Sequence, residues 1–240
     1  MTLRLEWKKV KRTGFVPEFI VGGLLAAAVP VLNMAVRSAL YIGQGGSPVQ
    51  ILMDANWQMM AMLNLLLMLA GACLLYHIEY ADNALQRICT LPLRESSLFW
   101  GKAVLMLVMC AIALLTEAAG IAFCLHHWFS LSRAVGTALL KSFGYAFLLM
   151  LPAALGFLLL ASAFRSMWVS LGIGVVCVFT ATMLPTDSPV LSLFPFALPF
   201  QRLAGTAAGA VRGFLLAGSI EIAVIITIEI IFLNIRRSLR

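Results

Sequence analysis

Long apolar runs alternate with short polar connectors along this chain, and the runs near 15–36, 57–78, 103–125, 142–163, 167–184 and 213–235 set its architecture. Each is about 18 residues or longer, the length at which a helix crosses about 30 Å of hydrocarbon. Six membrane-spanning helices are predicted. The first run follows a basic segment in the manner of a signal peptide, but it is too long for one and no small-residue cleavage site follows it. Ahead of it, Leu3, Trp7 and Val10 recur at helical spacing while Arg4, Lys8, Lys11 and Arg12 take the other faces, the pattern of an amphipathic helix over 1–14 lying in the headgroup plane.

The polar connectors carry further signals. Pro30 and Asn33 interrupt the first run, which a membrane helix tolerates when neighbours satisfy the freed groups, so this face is expected to be buried in protein. Tyr41 to Pro48 is rich in glycine and reads as turn chemistry. Between the fifth and sixth runs, Pro185 to Arg202 is strongly apolar yet broken by Pro185, Pro189, Pro195 and Pro199. Proline forbids a long helix there, so short re-entrant or interfacial pieces are expected, buried against the rest. Gly205, Gly209 and Gly213 then recur every four residues, a ridge suited to close helix approach.

The predicted fold class is therefore an all-α integral membrane protein with six spans in one domain, 15–240. An N-terminal amphipathic helix, a short cytosolic helix between the second and third spans, and re-entrant pieces before the sixth complete it. Composition agrees, with 62% hydrophobic and 11% charged residues against roughly one quarter charged in soluble domains. Lys and Arg concentrate in the connectors on the side of the N-terminus, and Arg37, Arg133, Lys141, Arg202 and Arg212 fall on the other. Cytosolic loops carry the positive excess, which places both termini in the cytosol. The net charge of +7 then reflects topology and contact with anionic lipid. No basic-aromatic patch points to nucleic acid.

Candidate chemistry is sparse. Cys73, Cys110, Cys124 and Cys177 fall within spans and Cys89 in a cytosolic loop, so the cysteines read as packing residues. His126 and His127 are adjacent and diverge by about 100° on a helix, so they do not form a two-ligand face. His77 stands at a span end. HExxH, GxSxG and Walker-type signatures are missing, which argues against an enzyme and against ATP hydrolysis by this chain alone. No cofactor is expected in it.

Ionisable groups within hydrocarbon are costly and usually face protein or water. Glu117, Glu221 and Glu229 are such groups, with Asn64 near mid-span and Lys141 placed to neutralise Glu117 or Glu221. Two explanations remain open, a polar patch along a substrate route and structural pairing between helices.

Glu79 to Lys102 is the most distinctive polar stretch. Asp82 or Asn83 can cap a short helix, Leu85, Ile88 and Leu91 give it an apolar stripe around Arg87, and Pro92 ends it. Ser96 or Ser97 restarts a helix, with Trp100 and Lys102 anchoring it at the interface. This run, with an acid leaving the second span, Leu91-Pro92-Leu93-Arg94 at its centre and Phe99-Trp100-Gly101-Lys102 at re-entry, resembles the corresponding loop of ABC-2 type permeases, most of all the lantibiotic-immunity permeases. Six spans, a basic amphipathic N-terminus and an apolar insertion before the last span are similar as well.

The resemblance implies a multi-pass permease subunit of the bacterial cell membrane, paired with a second permease, identical or related. It also implies two separate ATPase subunits that hold ATP and Mg. Residues 82–93 would form the coupling helix, oriented by Glu79, and the substrate would be an amphipathic antimicrobial peptide expelled outward for immunity or resistance. An ATP-independent small-molecule binding protein or secondary carrier, using Glu117, Glu221 and Asn64, is the alternative.

Overall fold

The computed structural model describes residues 7–11, 13–80, 95–129, 133–164, 166–184 and 194–238. Within them the chain forms α1 (Phe15–Ile42), α2 (Pro48–Tyr80), α3 (Glu95–Trp128), α4 (Arg133–Ala163), α5 (Met167–Met183) and α6 (Ala208–Ser238), with a 3-10 turn at Leu198–Phe200 between the last two. The described residues contain no strand.

Five of these helices are long and apolar enough to cross a membrane: α1, α2, α3, α4 and α6. The fifth expected span, 167–184, is the exception. It forms α5, whose 17 residues at about 1.5 Å each extend about 25 Å, short of the hydrocarbon thickness of about 30 Å. The other helices outrun the apolar stretches that predict them. α2 begins at Pro48 and α3 ends at Trp128, because interfacial polar residues such as Asp54, Gln58 and His126 are compatible with helix once the intrahelical bonds have started. The turn chemistry at 41–48 is confined to the glycine and serine between Ile42 and Pro48, where Gly46 adopts φ 142°.

Ahead of α1, residues 7–10 are helical and the chain turns at 13–14. Thr13 Oγ1 donates to the Val10 carbonyl at 2.8 Å, and Gly14 takes φ 81°, a left-handed conformation that glycine adopts without strain. Val10 is buried while Lys8 and Lys11 are exposed, in line with the spacing, but Trp7, which the spacing sets on the face of Val10, is exposed. Leu3, Arg4 and Arg12 lie outside the described residues.

α2 and α4 are the interior helices, since 67% and 61% of their most apolar windows are buried against 33% in α1 and α6. α1 packs on α2 and α3, α2 on α4 and α5, and α4 on α6. A continuous apolar core runs from Phe15 and Phe19 through Leu65, Met68, Met106 and Met150 to Phe157 and Val178. A smaller cluster, Tyr145, Leu149, Leu198, Phe214 and Ala217, joins α4 to α6 and the 3-10 turn.

α1 and α3 bring their backbones close together. A Cβ on Gly120 would stand 2.7 Å from the Ala27 carbonyl oxygen, and one on Gly23 would meet Thr116 Oγ1 at 2.7 Å and the Ala113 Cα at 3.1 Å. Small residues allow this packing in lipid, where interhelical contact must replace a hydrophobic driving force. Thr116 donates to the Ala113 carbonyl at 2.7 Å within its own helix and so brings no unsatisfied hydroxyl into the seam.

The expected glycine ridge lies elsewhere than predicted. Gly209 and Gly213 are exposed on α6 and an added Cβ on either would meet nothing within 4 Å. Gly205 instead closes a turn at φ 79°, against the Gln50 side chain. The spacing of four residues identified small side chains but not the helix face that the fold uses.

Candidate functional site

Two places concentrate polar groups. The first is the interior seam between α2 and α3. Glu117 follows Ala113 and Thr116 along α3 and is fully buried, because those small neighbours draw that face of α3 onto α1. Neither carboxyl oxygen has a hydrogen-bond partner, nor does the Asn64 Nδ2. Asn64, buried on α2, lies near the Glu117 carboxyl without a hydrogen bond from its amide nitrogen. The structure thus brings together Asn64 and Glu117.

It does not bring Glu221 or Lys141 to them. Glu221 is buried on α6, which packs chiefly on α4, and both its carboxyl oxygens also lack a hydrogen-bond partner. Lys141 is exposed at the start of α4 and neutralises neither acid. Its long side chain sits on the outward face of α4, one residue before the buried Ser142 and Phe143. Sequence position gives depth but not helical face, which explains the error.

Lys102 is likewise corrected. It was expected to anchor at the interface beside Trp100; Trp100 is exposed, but Lys102 is only 1% exposed. Its Nζ lies 5.3 Å from the centroid of the Tyr76 ring, within range of a cation–π contact. Glu79 belongs to the last turn of α2, its side chain outside the described set. Asp82, Asn83, Leu85, Arg87, Ile88, Leu91 and Pro92 lie outside the described residues altogether. Glu229 is buried near the far end of α6.

At the end of the bundle where α1 closes and α2 starts, Asn33 donates to the Asn56 Oδ1 at 2.8 Å and to the Tyr41 hydroxyl at 3.2 Å. Asn56 in turn donates to the Leu52 carbonyl at 2.9 Å. The polar interruption of the first span is therefore satisfied by protein, and Pro30 beside it is buried.

The second place, which the sequence did not disclose, is a cavity of about 420 Å³ at this same end. Asp54, Trp57 and Gln58 of α2 form one wall, the end of α5 at Ala181 to Leu184 another, and Phe200 to Arg202 with Thr206 the third. Behind Phe200, apolar residues of the proline-rich segment pack into the core. Phe196, Ala197, Leu198, Pro199 and Phe200 are all buried, and Phe196 stacks on Phe157 with centroids 4.3 Å apart. The expectation that this apolar stretch is buried holds for these residues, whereas 185–193 lie outside the described set.

Arg202 Nη1 donates to Asp54 Oδ1 across the cavity wall, with side chains 40% and 44% exposed. An ion pair this exposed is worth about 0–1 kcal/mol, so it opens readily. Its members are 148 residues apart in sequence, and no local motif announces them. His126 and His127 are exposed at the end of α3, and no group of three or more metal-ligating side chains occurs among the described residues. Cys73, Cys110, Cys124 and Cys177 are unpaired thiols within the helices.

A bundle of long apolar helices with an interior carboxyl and a polar cavity at one end is that of a multi-pass membrane protein. The chain belongs to the ABC-2 family transporter proteins: that family's model matches residues 2–181, from the N-terminal segment through nearly all of α5. The family is the membrane component of a transporter, and it implies ABC ATPase partners in general. No match was found among curated proteins or among solved structures.

Proposed function

We propose that this chain is the permease subunit of an ATP-driven exporter that removes an amphipathic antimicrobial peptide, of the lantibiotic kind, from the cell membrane. In this reading two ATPase subunits bind ATP and Mg on the cytosolic side, and a second permease, identical or related, completes the pathway. α5 serves as a sixth, short span, and both termini are cytosolic. Residues 82–93 form the coupling helix that the ATPases push, oriented by Glu79.

The observation that carries the reading is the extent of the family match, which runs unbroken across residues 2–181 and so includes the stretch from Glu79 to Lys102. A carrier that works without ATP would need Glu117 and Glu221 on one route. Glu117 is buried on α3 near Asn64 of α2, while Glu221 is buried on α6, which packs chiefly on α4, and acids on helices with different main neighbours favour the exporter reading.

The test is affinity purification of the tagged chain from cells that also express its genomic neighbours, followed by ATPase assay of the purified material. A co-purifying ATPase whose recovery is lost in the Leu85→Asp/Leu91→Asp variant is the expected result. Recovery of the chain alone, with transport that proceeds unaltered after ATP depletion, would overturn the proposal.

A further inference from the structure

The cavity beside Asp54 and Arg202 has a chemistry that the exporter reading does not use. Its charged wall is neutral overall, one carboxylate and one guanidinium already facing each other. Because the pair is exposed and opens readily, both members are free to turn to a ligand. A simple cation or anion engages only one of them, whereas a ligand that carries both charges engages the two at once. The guanidinium is a planar fork suited to phosphate or carboxylate, and the carboxylate accepts from an ammonium.

Two hydroxyls sharpen the choice of ammonium. Thr182 donates to the Phe179 carbonyl at 2.7 Å and Thr206 to the Arg202 carbonyl at 2.6 Å. Their single protons are used, so what they present to the cavity is acceptor capacity. Together with Asp54, this lining rewards a primary ammonium, which brings N–H donors, over a trimethylated one, which brings none.

The walls are held in place. Trp57, buried between the cavity and the core, donates to the Pro199 carbonyl at 3.0 Å, and this fixes the 3-10 turn that leads to Arg202. A volume of about 420 Å³ lies in the range of about 300–1,000 Å³ found for small-molecule sites and suits a headgroup-sized ligand. Beside the lining residues of α5, Phe179 and Met183 are exposed, Met183 at 82%, an apolar surface on which an attached acyl chain can lie.

We propose that this cavity is a binding site for a zwitterion joining a primary ammonium to a phosphate, of the phosphoethanolamine type. That chemistry is offered by a phospholipid headgroup and by a soluble glycerophosphodiester alike. The site stands on its own geometry and does not depend on which substrate the transporter exports.

The experiment uses the full chain in phosphatidylglycerol nanodiscs doped with equal minor fractions of phosphatidylethanolamine and phosphatidylcholine, with retained lipids counted by native mass spectrometry. In parallel, glycerophosphoethanolamine is titrated into lipid-depleted chain in a calorimeter. Wild type is expected to retain the ethanolamine lipid over the choline lipid. Asp54→Asn removes one charge-assisted contact and should cut that preference about tenfold, whereas Arg202→Gln should lower retention of both zwitterionic lipids. Thr182→Val leaves the ion pair intact and should narrow the ethanolamine preference, which keeps the test decisive should either charge variant fail to fold. Retention of the lipid without binding of the soluble diester assigns the site to the membrane, and the converse assigns it to a soluble ligand. Equal retention of the two lipids by wild type together with no heat from the diester would overturn the proposal, as would Thr182→Val and Asp54→Asn both matching wild type.

Discussion

The indole N–H of Trp57, near the start of α2, donates to the main-chain carbonyl of Pro199 at 3.0 Å, joining residues 142 positions apart. The 3-10 turn ends at Phe200, and the indole gives the Pro199 carbonyl a donor from a distant helix. Trp57 also meets Phe143 of α4 edge-on, with centroids 6.0 Å apart. One side chain thereby ties α2, α4 and the proline-rich segment together.

Trp57→Phe keeps most of the ring and removes the donor. The Pro199 carbonyl then lacks its partner, at a cost of about 1 kcal/mol. Hydrogen exchange at 196–206 should rise several-fold while exchange in α3 stays unchanged; uniform exchange across both would show that the bond does not hold the turn.

Gly120→Val should be among the most damaging single substitutions in the chain. The added Cβ meets the Ala27 carbonyl oxygen at 2.7 Å, a backbone atom that cannot rotate away, and overpacking of this kind costs about 1–3 kcal/mol. Gly136→Ala is the control, since nothing lies within 4 Å of its added atom and alanine favours helix. Thermal unfolding in mild detergent should drop for the first and hold or rise for the second.

Glu117 is fully buried without an ion-pair partner among the described residues. Glu117→Gln keeps the shape and an amide that Asn64 can meet, so its stability should stay within about 1 kcal/mol of wild type. Glu117→Lys places a longer, charged side chain in the seam, at a cost of about 2.5–3.5 kcal/mol on insertion scales. Fluorescence-detected gel filtration should show a sharp peak for the first and aggregation for the second. Equal behaviour would mean that Glu117 faces water.

Asn56→Leu removes the acceptor for Asn33 on α1. Interhelical hydrogen bonds in membranes average only about 0.6 kcal/mol, and Asn33 retains the Tyr41 hydroxyl. The expected effect is a fall in melting temperature of a few degrees at most, and a collapse of expression would assign Asn56 a larger role.

How far the sequence could be read depended on whether the signal was local. Runs of apolar residues announced α1, α2, α3, α4 and α6 because a span is a property of one contiguous segment. The burial of Pro30 and the apolar nature of the 194–200 segment were legible for the same reason. Lys102 and Lys141 were not: each sits near a helix end, and only the packing of neighbouring helices decides that one is enclosed beside Tyr76 and the other left on the surface. The glycines of the α1–α3 seam, Gly23 and Gly120, lie 97 positions apart and share no repeat, whereas Gly209 and Gly213 show a repeat without a contact. The Asp54–Arg202 cavity leaves no local signal in the sequence, since its walls come from three separate parts of the chain.

The brevity of α5 has a consequence for the surrounding lipid. The outward-facing α1, with 28 residues, reaches about 42 Å at 1.5 Å each, so a bilayer around this chain meets walls of two heights. Mismatch costs fractions of a kcal/mol per Å, and the cheapest accommodation is a local dimple beside Met183. Such a dimple draws headgroups inward at the one rim where Arg202 and Asp54 wait, and favours residence of this protein in thinner membranes.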